Sequence, residues 1–307
     1  MKIVFFSSVN YGSLFIDYFL KNKIEITLIT NPPKKAGRGL KVKRSFISKY
    51  AIDAGIPVIE VEELLNNEDF IKKIKDFMPC FGIVIGYGKK IPENVYSIPK
   101  NGTFNIHFSL LPDLRGPEPV RRAIFLGYDK TGVTIFKINQ EIDKGDIYLQ
   151  REVNIFPDDN YLTLRERLSK ISIELLDEFF KNFKNIKPRK QKGSGNYAHK
   201  FKKSDFLINW NEEGDKILRR IRALYPLSYT VLPDGRKLKI IEAEFFPLKY
   251  EGKPGELVSF VRGKGFIVRS MDSSILVKRV QLEGKRVMSG VEFIIGRKWL
   301  IGKILGK

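Results

Sequence analysis

The sequence predicts an α/β protein in two folded parts, a doubly wound and mostly parallel sheet followed by a small antiparallel barrel of the OB type. In the first part, apolar runs alternate with amphipathic stretches, which is typical of strand–helix–strand units. After residue 197, short alternating runs separated by turn residues replace them, as in a small barrel. We therefore expect domains at residues 1–185 and 197–307, joined by a basic, Gly- and Ser-containing linker at 186–196.

The first part opens with an apolar run at residues 2–7, which suits a central parallel strand buried on both faces. Apolar residues then recur at helical spacing over 13–21, and residues 25–30 form the second strand of a strand–helix–strand unit. By the same criteria we predict a helix at 45–54, strands at 57–61 and 81–85, a helix at 62–77, a strand at 103–107, a helix at 117–126, strands at 131–138 and 147–155, and a long helix at 160–185.

The second part is predicted to hold one helix and five or six strands. The helix covers residues 213–224. The runs LSYTVL and KLKIIEAEFF flank Asp234-Gly235, which is a good hairpin signal. Further strands are expected in ELVSFV, GFIVRS and SILVKRVQL. Short strands in this number favour an OB-like barrel, a fold that often carries nucleic acid on a basic face.

The net charge of +20 and the pI near 9.8 favour a polyanionic partner, with nucleic acid as the leading candidate. The alternative is a solvated, Lys-rich surface, which accounts for part of the excess. One cysteine allows no internal disulfide, so a cytoplasmic location fits. No apolar run approaches the roughly 18–20 residues of a membrane helix. One Cys and two His make a bound metal improbable.

The strand at 103–107 carries the candidate chemistry. Asn105 and His107 are two residues apart and therefore project from the same face, while Phe104 and Ile106 face a core. Ends of parallel strands are where open α/β sheets place their sites. A structural role for this pair is the alternative, but a carboxylate in the acidic loop EIDKGD, at residues 141–146, could orient the imidazole.

The pattern Asn-x-His-x-Ser-Leu-Leu-Pro, followed by an Asp-x-Gly loop, resembles the folate-dependent formyltransferase family. The resemblance implies a Rossmann-like formyltransferase domain with Asn105, His107 and Asp143 as the catalytic trio. It also implies 10-formyltetrahydrofolate as co-substrate and no metal. Folate contacts are implied at residues after two strands, namely Gly86, Tyr87, Gly88, Ile91, Ser109, Leu110, Leu111 and Pro112.

Two positions depart from the family pattern. Residues 7–12 read SSVNYG where relatives usually carry Gly-Thr-Pro, and Phe108 follows His107 where relatives carry Gly or Pro. A bulky aromatic side chain at Phe108 is expected to narrow the substrate pocket.

A basic loop at residues 31–44 contains two Pro, two Gly and six Lys or Arg. By composition it is equally a solvated connector or a phosphate-binding loop that orders on RNA. It resembles the loop of family members that formylate methionyl initiator tRNA, which implies tRNA contacts from Lys35, Arg38, Lys41 and Lys43.

Three functions therefore stand as alternatives. The first is formyl transfer to methionyl initiator tRNA by a monomer. The second is the same chemistry on a nucleotide-linked amino sugar, which the basic loop and the net charge disfavour. The third is a non-catalytic RNA-binding protein on an enzyme scaffold, which the intact trio disfavours.

Overall fold

The computed structural model describes residues 1–36 and 41–306. The strands are β1 Lys2–Ser7, β2 Glu25–Thr30, β3 Lys34–Ala36, β4 Lys41–Lys43, β5 Val58–Glu60, β6 Phe81–Ile85, β7 Thr103–His107, β8 Lys130–Lys137, β9 Ile147–Asn154, β10 Tyr229–Val231, β11 Lys237–Phe246, β12 Leu257–Val261, β13 Gly265–Arg269, β14 Ser274–Leu282 and β15 Val287–Ser289. The helices are α1 Ser13–Lys21, α2 Phe46–Asp53, α3 Glu68–Phe77, α4 Glu93–Tyr96, α5 Pro119–Leu126, α6 Tyr161–Asn182, α7 Gly214–Ala223 and α8 Gly290–Ile295. None of these helices is long and apolar enough to cross a membrane.

The first sheet has seven strands in the order β5-β2-β1-β6-β7-β8-β9. Its first five strands run parallel, and β8 runs antiparallel to β7. Every residue of the central strand β6 is buried, as expected of a strand covered on both faces. The predicted α/β fold with a mostly parallel sheet is therefore confirmed. Because β1, β6 and β7 are parallel neighbours, their carboxyl ends meet at one edge.

An aromatic cluster packs against one face of β7. The Phe104 ring is fully buried, with its centroid 4.8 Å from that of Phe179 and 4.9 Å from that of Tyr148. Phe81 and Phe183 complete the cluster, with ring centroids 4.9 Å apart. Side chains alternate along a strand, so the anchoring of Phe104 in this core turns its neighbour Asn105 to the opposite face.

The structure differs from the sequence prediction at the start of α3 and within the basic loop. Helix α3 begins at Glu68, not at residue 62, because the Asn67 side chain accepts the Phe70 N–H at 3.0 Å and caps the helix there. Within the basic loop, β3 and β4 pair as a short hairpin with Lys35 opposite Val42. Lysine-rich segments have weak strand propensity, so composition alone indicated only a loop.

The second main sheet is antiparallel, with the order β10-β11-β14-β13-β12 and β15 paired to β14. Its core contains Trp210, Phe266 and Phe293, all less than 4% exposed. The predicted small barrel is confirmed as an antiparallel sheet, but the described strands do not close into a barrel, because β10 and β12 end the order. The C-terminal segment lies along these ends, since Leu305 N–H donates to Gly255 and Gly306 N–H to Val231.

The chain divides into two compact units. The first contains Met1–Pro119, Thr131–Asn154 and Arg165–Ala198, and the second contains Val120–Lys130, Ile155–Leu164 and His199–Lys307. The units are therefore discontinuous in sequence, because most of α5 and the start of α6 group with the C-terminal part. The predicted boundaries at residues 185 and 197 stay a prediction.

Candidate active site

Strand β7 presents the two predicted polar residues at its carboxyl half. Phe104 and Ile106 are at most 3% exposed, and Asn105 between them is half-buried. His107 ends the strand and is 6% exposed. The strand thus holds an amide and an imidazole on one face, with a packed core behind them.

The turn after β7 determines which nitrogen of His107 carries a hydrogen. Leu114 adopts a left-handed conformation with φ of 57°, and its carbonyl oxygen lies 2.9 Å from His107 Nε2. A carbonyl oxygen only accepts, so Nε2 must be the protonated donor. The other nitrogen, Nδ1, faces the Asp143 carboxylate, with 4.0 Å to Oδ2. Nδ1 is therefore the ring nitrogen that the turn leaves without a hydrogen-bond partner of its own.

Asp143 brings its carboxylate between the two other members of the trio. Its Oδ2 accepts the backbone N–H of Gly116 at 2.8 Å, and its Oδ1 lies 3.5 Å from Asn105 Nδ2. Asp143 itself has a positive φ of 54°, which few non-glycine residues adopt. The structure thus brings together all three residues that the sequence predicted to be catalytic.

The acidic loop reaches this position by an indirect route. Lys137 at the end of β8 lies opposite Phe104, so the loop starts beside the first half of β7 and must run back over its face. Gly145 makes this possible, because a Cβ there would lie 1.6 Å from the Lys137 carbonyl oxygen. No larger residue fits that close approach.

The pair is largely removed from solvent. The His107 side chain is 7% exposed and that of Asp143 is 13% exposed. Charges in such a site interact more strongly than in water. The 4.0 Å separation exceeds a hydrogen bond, which is common for catalytic pairs without substrate.

Part of the predicted linker lies on the acidic loop. Gln191 Nε2 donates to the carbonyl oxygens of Asp143 and Gly145, at 2.9 and 2.8 Å. Gln191 Oε1 accepts from the Arg115 guanidinium at 2.7 Å. Sequence reasoning missed Arg115 and Gln191 as site residues. Nothing in the basic run KPRKQKGSG distinguished its single glutamine from a solvated residue.

The predicted folate segment at the end of β6 exposes backbone and buries side chains. Gly86 and Gly88 are exposed and have φ of 57° and 76°. The Tyr87 ring packs 5.5 Å from Phe6, and Ile91 lies in the same core cluster. Tyr87 and Ile91 can therefore offer backbone groups to a ligand, while their side chains hold the turn.

The second predicted folate segment is a rigid turn. Ser109 Oγ donates to the Asp113 carbonyl at 2.6 Å, which makes it a turn-capping hydroxyl. The Ser109 carbonyl accepts from Thr134 Oγ1 at 2.6 Å. Leu111 is buried with Phe136, while Leu110 and Pro112 are half-buried. The segment is thus fixed in place beside His107 before any ligand binds.

The two departures from the family pattern meet in space. The Phe108 ring is 5% exposed and stacks on Tyr11, with centroids 5.7 Å apart. Tyr11 belongs to the unusual segment 7–12, and the Arg165 guanidinium lies 5.2 Å from the centroid of its ring. The bulky residue after His107 and the altered strand end are therefore packing partners.

The predicted tRNA-binding residues are described only in part. Lys35 and Lys41 belong to the β3–β4 hairpin, and Lys43 at its end is exposed. Arg38 lies outside the described residues. Within residues 1–36 and 41–306, no group of three His, Cys, Asp or Glu could hold a metal ion.

The parallel sheet and the amide, imidazole and carboxylate gathered at β7 are the arrangement expected of a formyl-transferring enzyme. A family model described as "Formyl transferase" matches residues 1–179, and one described as "Formyl transferase, C-terminal domain" matches residues 200–298. The chain therefore belongs to the formyl transferase family, and the resemblance found in the sequence is confirmed. This membership makes it a transferase.

Relatives of the same length are methionyl-tRNA formyltransferases. The one from Thermodesulfovibrio yellowstonii is 36% identical, with 96% of each chain covered. The one from Sulfurihydrogenibium sp. is 32% identical, with 99% of each chain covered. A solved structure, HypX from Aquifex aeolicus in complex with tetrahydrofolic acid, is similar in fold with a TM-score of 0.64 and 19% identity. That match covers 96% of this chain but only 47% of the HypX chain.

Proposed function

We propose that this enzyme transfers the formyl group of 10-formyltetrahydrofolate to the α-amino group of methionine on initiator tRNA. The full-length relation carries the proposal, because two methionyl-tRNA formyltransferases match 96% and 99% of this chain. A relative that matched only the N-terminal part would support formyl transfer but would not identify the amine that accepts the formyl group. Here the match includes the C-terminal part as well.

Asn105 is proposed to stabilise the charge that develops during transfer. As the neutral amine adds to the formyl carbon of the bound folate, the formyl oxygen becomes negative. The bond from the formyl carbon to N10 then breaks, the amine gives up a proton, and N10 gains one as tetrahydrofolate leaves. One Asn105 N–H is directed at Asp143, and the second is not engaged by any described residue. A side-chain amide placed in advance at such an oxygen typically contributes about 10²–10³ in rate.

His107 is proposed to act through Nδ1. Its Nε2–H is committed to the Leu114 carbonyl, so only Nδ1 can exchange a proton with a substrate or donate to the developing oxyanion. Asp143 lies 4.0 Å from Nδ1 and provides the negative charge that balances an imidazolium there. Asp143 can also accept the amine proton through a water.

The folate is proposed to bind at the shared edge of β6 and β7. The exposed Gly86 and Gly88 backbone would hold its polar ring groups, and the fixed turn at Ser109–Pro112 would form the facing wall. At Gly86 a Cβ would lie 2.7 Å from Val9 methyl groups, so there is no room for a side chain at this position of the sheet edge. Such a backbone-lined cradle fits a planar, hydrogen-bonding ligand.

The tRNA is proposed to bind through the basic loop and the second unit. The net charge of +20 favours a polyanion, and the loop at residues 31–44 concentrates six basic residues near the start of α2. The antiparallel sheet is proposed to serve as an OB-like RNA-binding domain, with domain boundaries as predicted from the sequence. The enzyme is further proposed to be a cytoplasmic monomer.

The test is formylation by the purified enzyme with 10-formyltetrahydrofolate. Charged initiator methionyl-tRNA is compared with elongator methionyl-tRNA and with a nucleotide-linked amino sugar. Rapid formylation of the initiator alone is the expected result. Formylation of the sugar but not of tRNA would keep the chemistry and overturn the acceptor. If none of the three is formylated while a folate analogue still raises the melting temperature, folate binding is retained and the proposed reaction is refuted.

A further inference from the structure

We propose that Gln191 is a positioning residue for Asp143, acting from the segment that the sequence indicated to be a linker. The proposal rests on the proposed formyl transfer at the same site. Gln191 touches no reacting group. Its role is to hold the loop that carries the catalytic carboxylate.

Gln191 restrains this loop with both hydrogens of one amide. Its Nε2 donates to the carbonyl oxygens of Asp143 at 2.9 Å and of Gly145 at 2.8 Å. The backbone at Asp143 has a φ of 54°, in the left-handed region that non-glycine residues seldom adopt. Because this backbone sets the direction of the carboxylate, contacts that fix its carbonyls also fix the side chain.

Arg115 determines which way the Gln191 amide points. Its Nε and one terminal nitrogen lie 3.0 and 2.7 Å from Gln191 Oε1. A guanidinium only donates, so the amide oxygen must face Arg115 and the NH₂ group must face the loop. Gly116, the next residue, donates its N–H to the Asp143 carboxylate at 2.8 Å. These hydrogen bonds form a continuous network. Gln191 holds the Asp143 backbone carbonyl, Gly116 holds the Asp143 carboxylate, and Arg115 links the two.

The segment that carries Gln191 is anchored on both sides. Arg189 and Ile147 exchange two backbone hydrogen bonds of 2.9 Å. Arg115 donates to the Ser194 carbonyl at 3.2 Å and accepts the Ala198 N–H at 2.6 Å. Residues 192–197 are exposed, whereas Gln191 is half-buried. Gln191 is therefore the residue of this run that is turned toward the site.

A neutral amide is the side chain this position requires. It donates to two carbonyls and accepts from Arg115 without adding charge beside Asp143. A glutamate has nearly the same size and keeps an acceptor for Arg115, but it has no hydrogen for either carbonyl. Two loop carbonyls would then face a carboxylate, and the loop would have to move.

The test compares Gln191→Glu with Asn22→Asp. Asn22 is the matched control, because its Nδ2 also donates to a backbone carbonyl, that of Tyr18 at 2.8 Å, at the exposed end of α1. We expect Gln191→Glu to lower kcat by about 10–100-fold, as for a modest misplacement of a catalytic group. KM for the folate and for methionyl-tRNA should stay within about threefold, since the Gln191 amide is engaged by the two loop carbonyls and by Arg115. Gln191→Leu, which adds no charge, should lose kcat similarly.

Hydrogen–deuterium exchange gives a readout that does not need turnover. Amides in residues 139–146 should exchange faster in both Gln191 variants and normally in Asn22→Asp. Wild-type kcat, a loss confined to KM, or unchanged exchange in this loop would overturn the proposal. If the wild type formylates no tRNA, the proposed function fails, whereas the exchange experiment still decides whether Gln191 holds the loop.

Discussion

Asp143→Asn is the smallest change that tests the proposed catalytic arrangement. The carboxylate uses both oxygens as acceptors, one for Gly116 N–H at 2.8 Å and one facing Asn105 Nδ2 at 3.5 Å. An asparagine has only one acceptor oxygen. Whichever way its amide turns, an NH₂ group will face another donor. The substitution also removes the negative charge beside His107.

The expected size of the effect follows from the 4.0 Å separation of His107 Nδ1 and Asp143 Oδ2. Two unit charges at that distance interact by about 4 kcal/mol at an effective dielectric constant of 20. Since about 1.4 kcal/mol corresponds to a factor of ten in rate, losing this interaction corresponds to roughly 10³ in rate. We expect kcat to fall by about 10²–10³-fold.

The assay is steady-state formylation of initiator methionyl-tRNA, with the melting temperature measured in parallel. Asp146→Asn is the control, because Asp146 lies in the same loop, is exposed, and undergoes the same loss of charge. It should retain near wild-type kcat. If folded Asp143→Asn turns over within about threefold of the wild type, the charge and hydrogen-bond reasoning for the trio is wrong.

Three other substitutions test the remaining parts of the structure. Gly86→Ala should raise the folate KM by about tenfold, because its Cβ would meet Val9 at 2.7 Å. Gly88→Ala has open space at its Cβ and should raise the folate KM less. Equal effects would contradict the proposed folate site at Gly86 and Gly88. Phe104→Ala should lower the free energy of unfolding, measured by urea titration, by about 3–5 kcal/mol. Phe46→Ala, at a 51% exposed position, should lower it by about 1 kcal/mol or less. Similar losses would refute the role of Phe104 in the aromatic core. Arg38→Gln should raise KM for initiator methionyl-tRNA by about tenfold without changing the folate KM; an unchanged tRNA KM would exclude the loop arginine from binding.

The strands and helices of the first part were predictable because each carries its own periodic signal. The run at residues 2–7 and the helix at 13–21 have the same bounds in the structure as in the prediction. The predicted start of the third helix at residue 62 was wrong, because the capping side chain of Asn67 makes α3 begin at Glu68. Apolar periodicity does not detect such a cap.

For the second sheet, the sequence predicted the strands but not whether they close into a barrel. The hairpin signal at Asp234 and the alternating runs located β10 to β14. Whether such strands close depends on which edges find partners, and this is a matter of long-range pairing. The described strands leave β10 and β12 unpaired with each other, with the terminal segment near Leu305 alongside.

The sequence by itself determined the parallel sheet, the family and the spacing that puts Asn105 and His107 on one face of β7, because these depend on local periodicity and on a short motif. Only the tertiary structure decided the tautomer of His107, through the Leu114 carbonyl, and the return of the acidic loop over β7. It also decided that Gln191, from a stretch with the composition of a linker, holds the backbone of Asp143. These contacts join residues far apart in the chain, and their geometry depends on how the whole first unit packs.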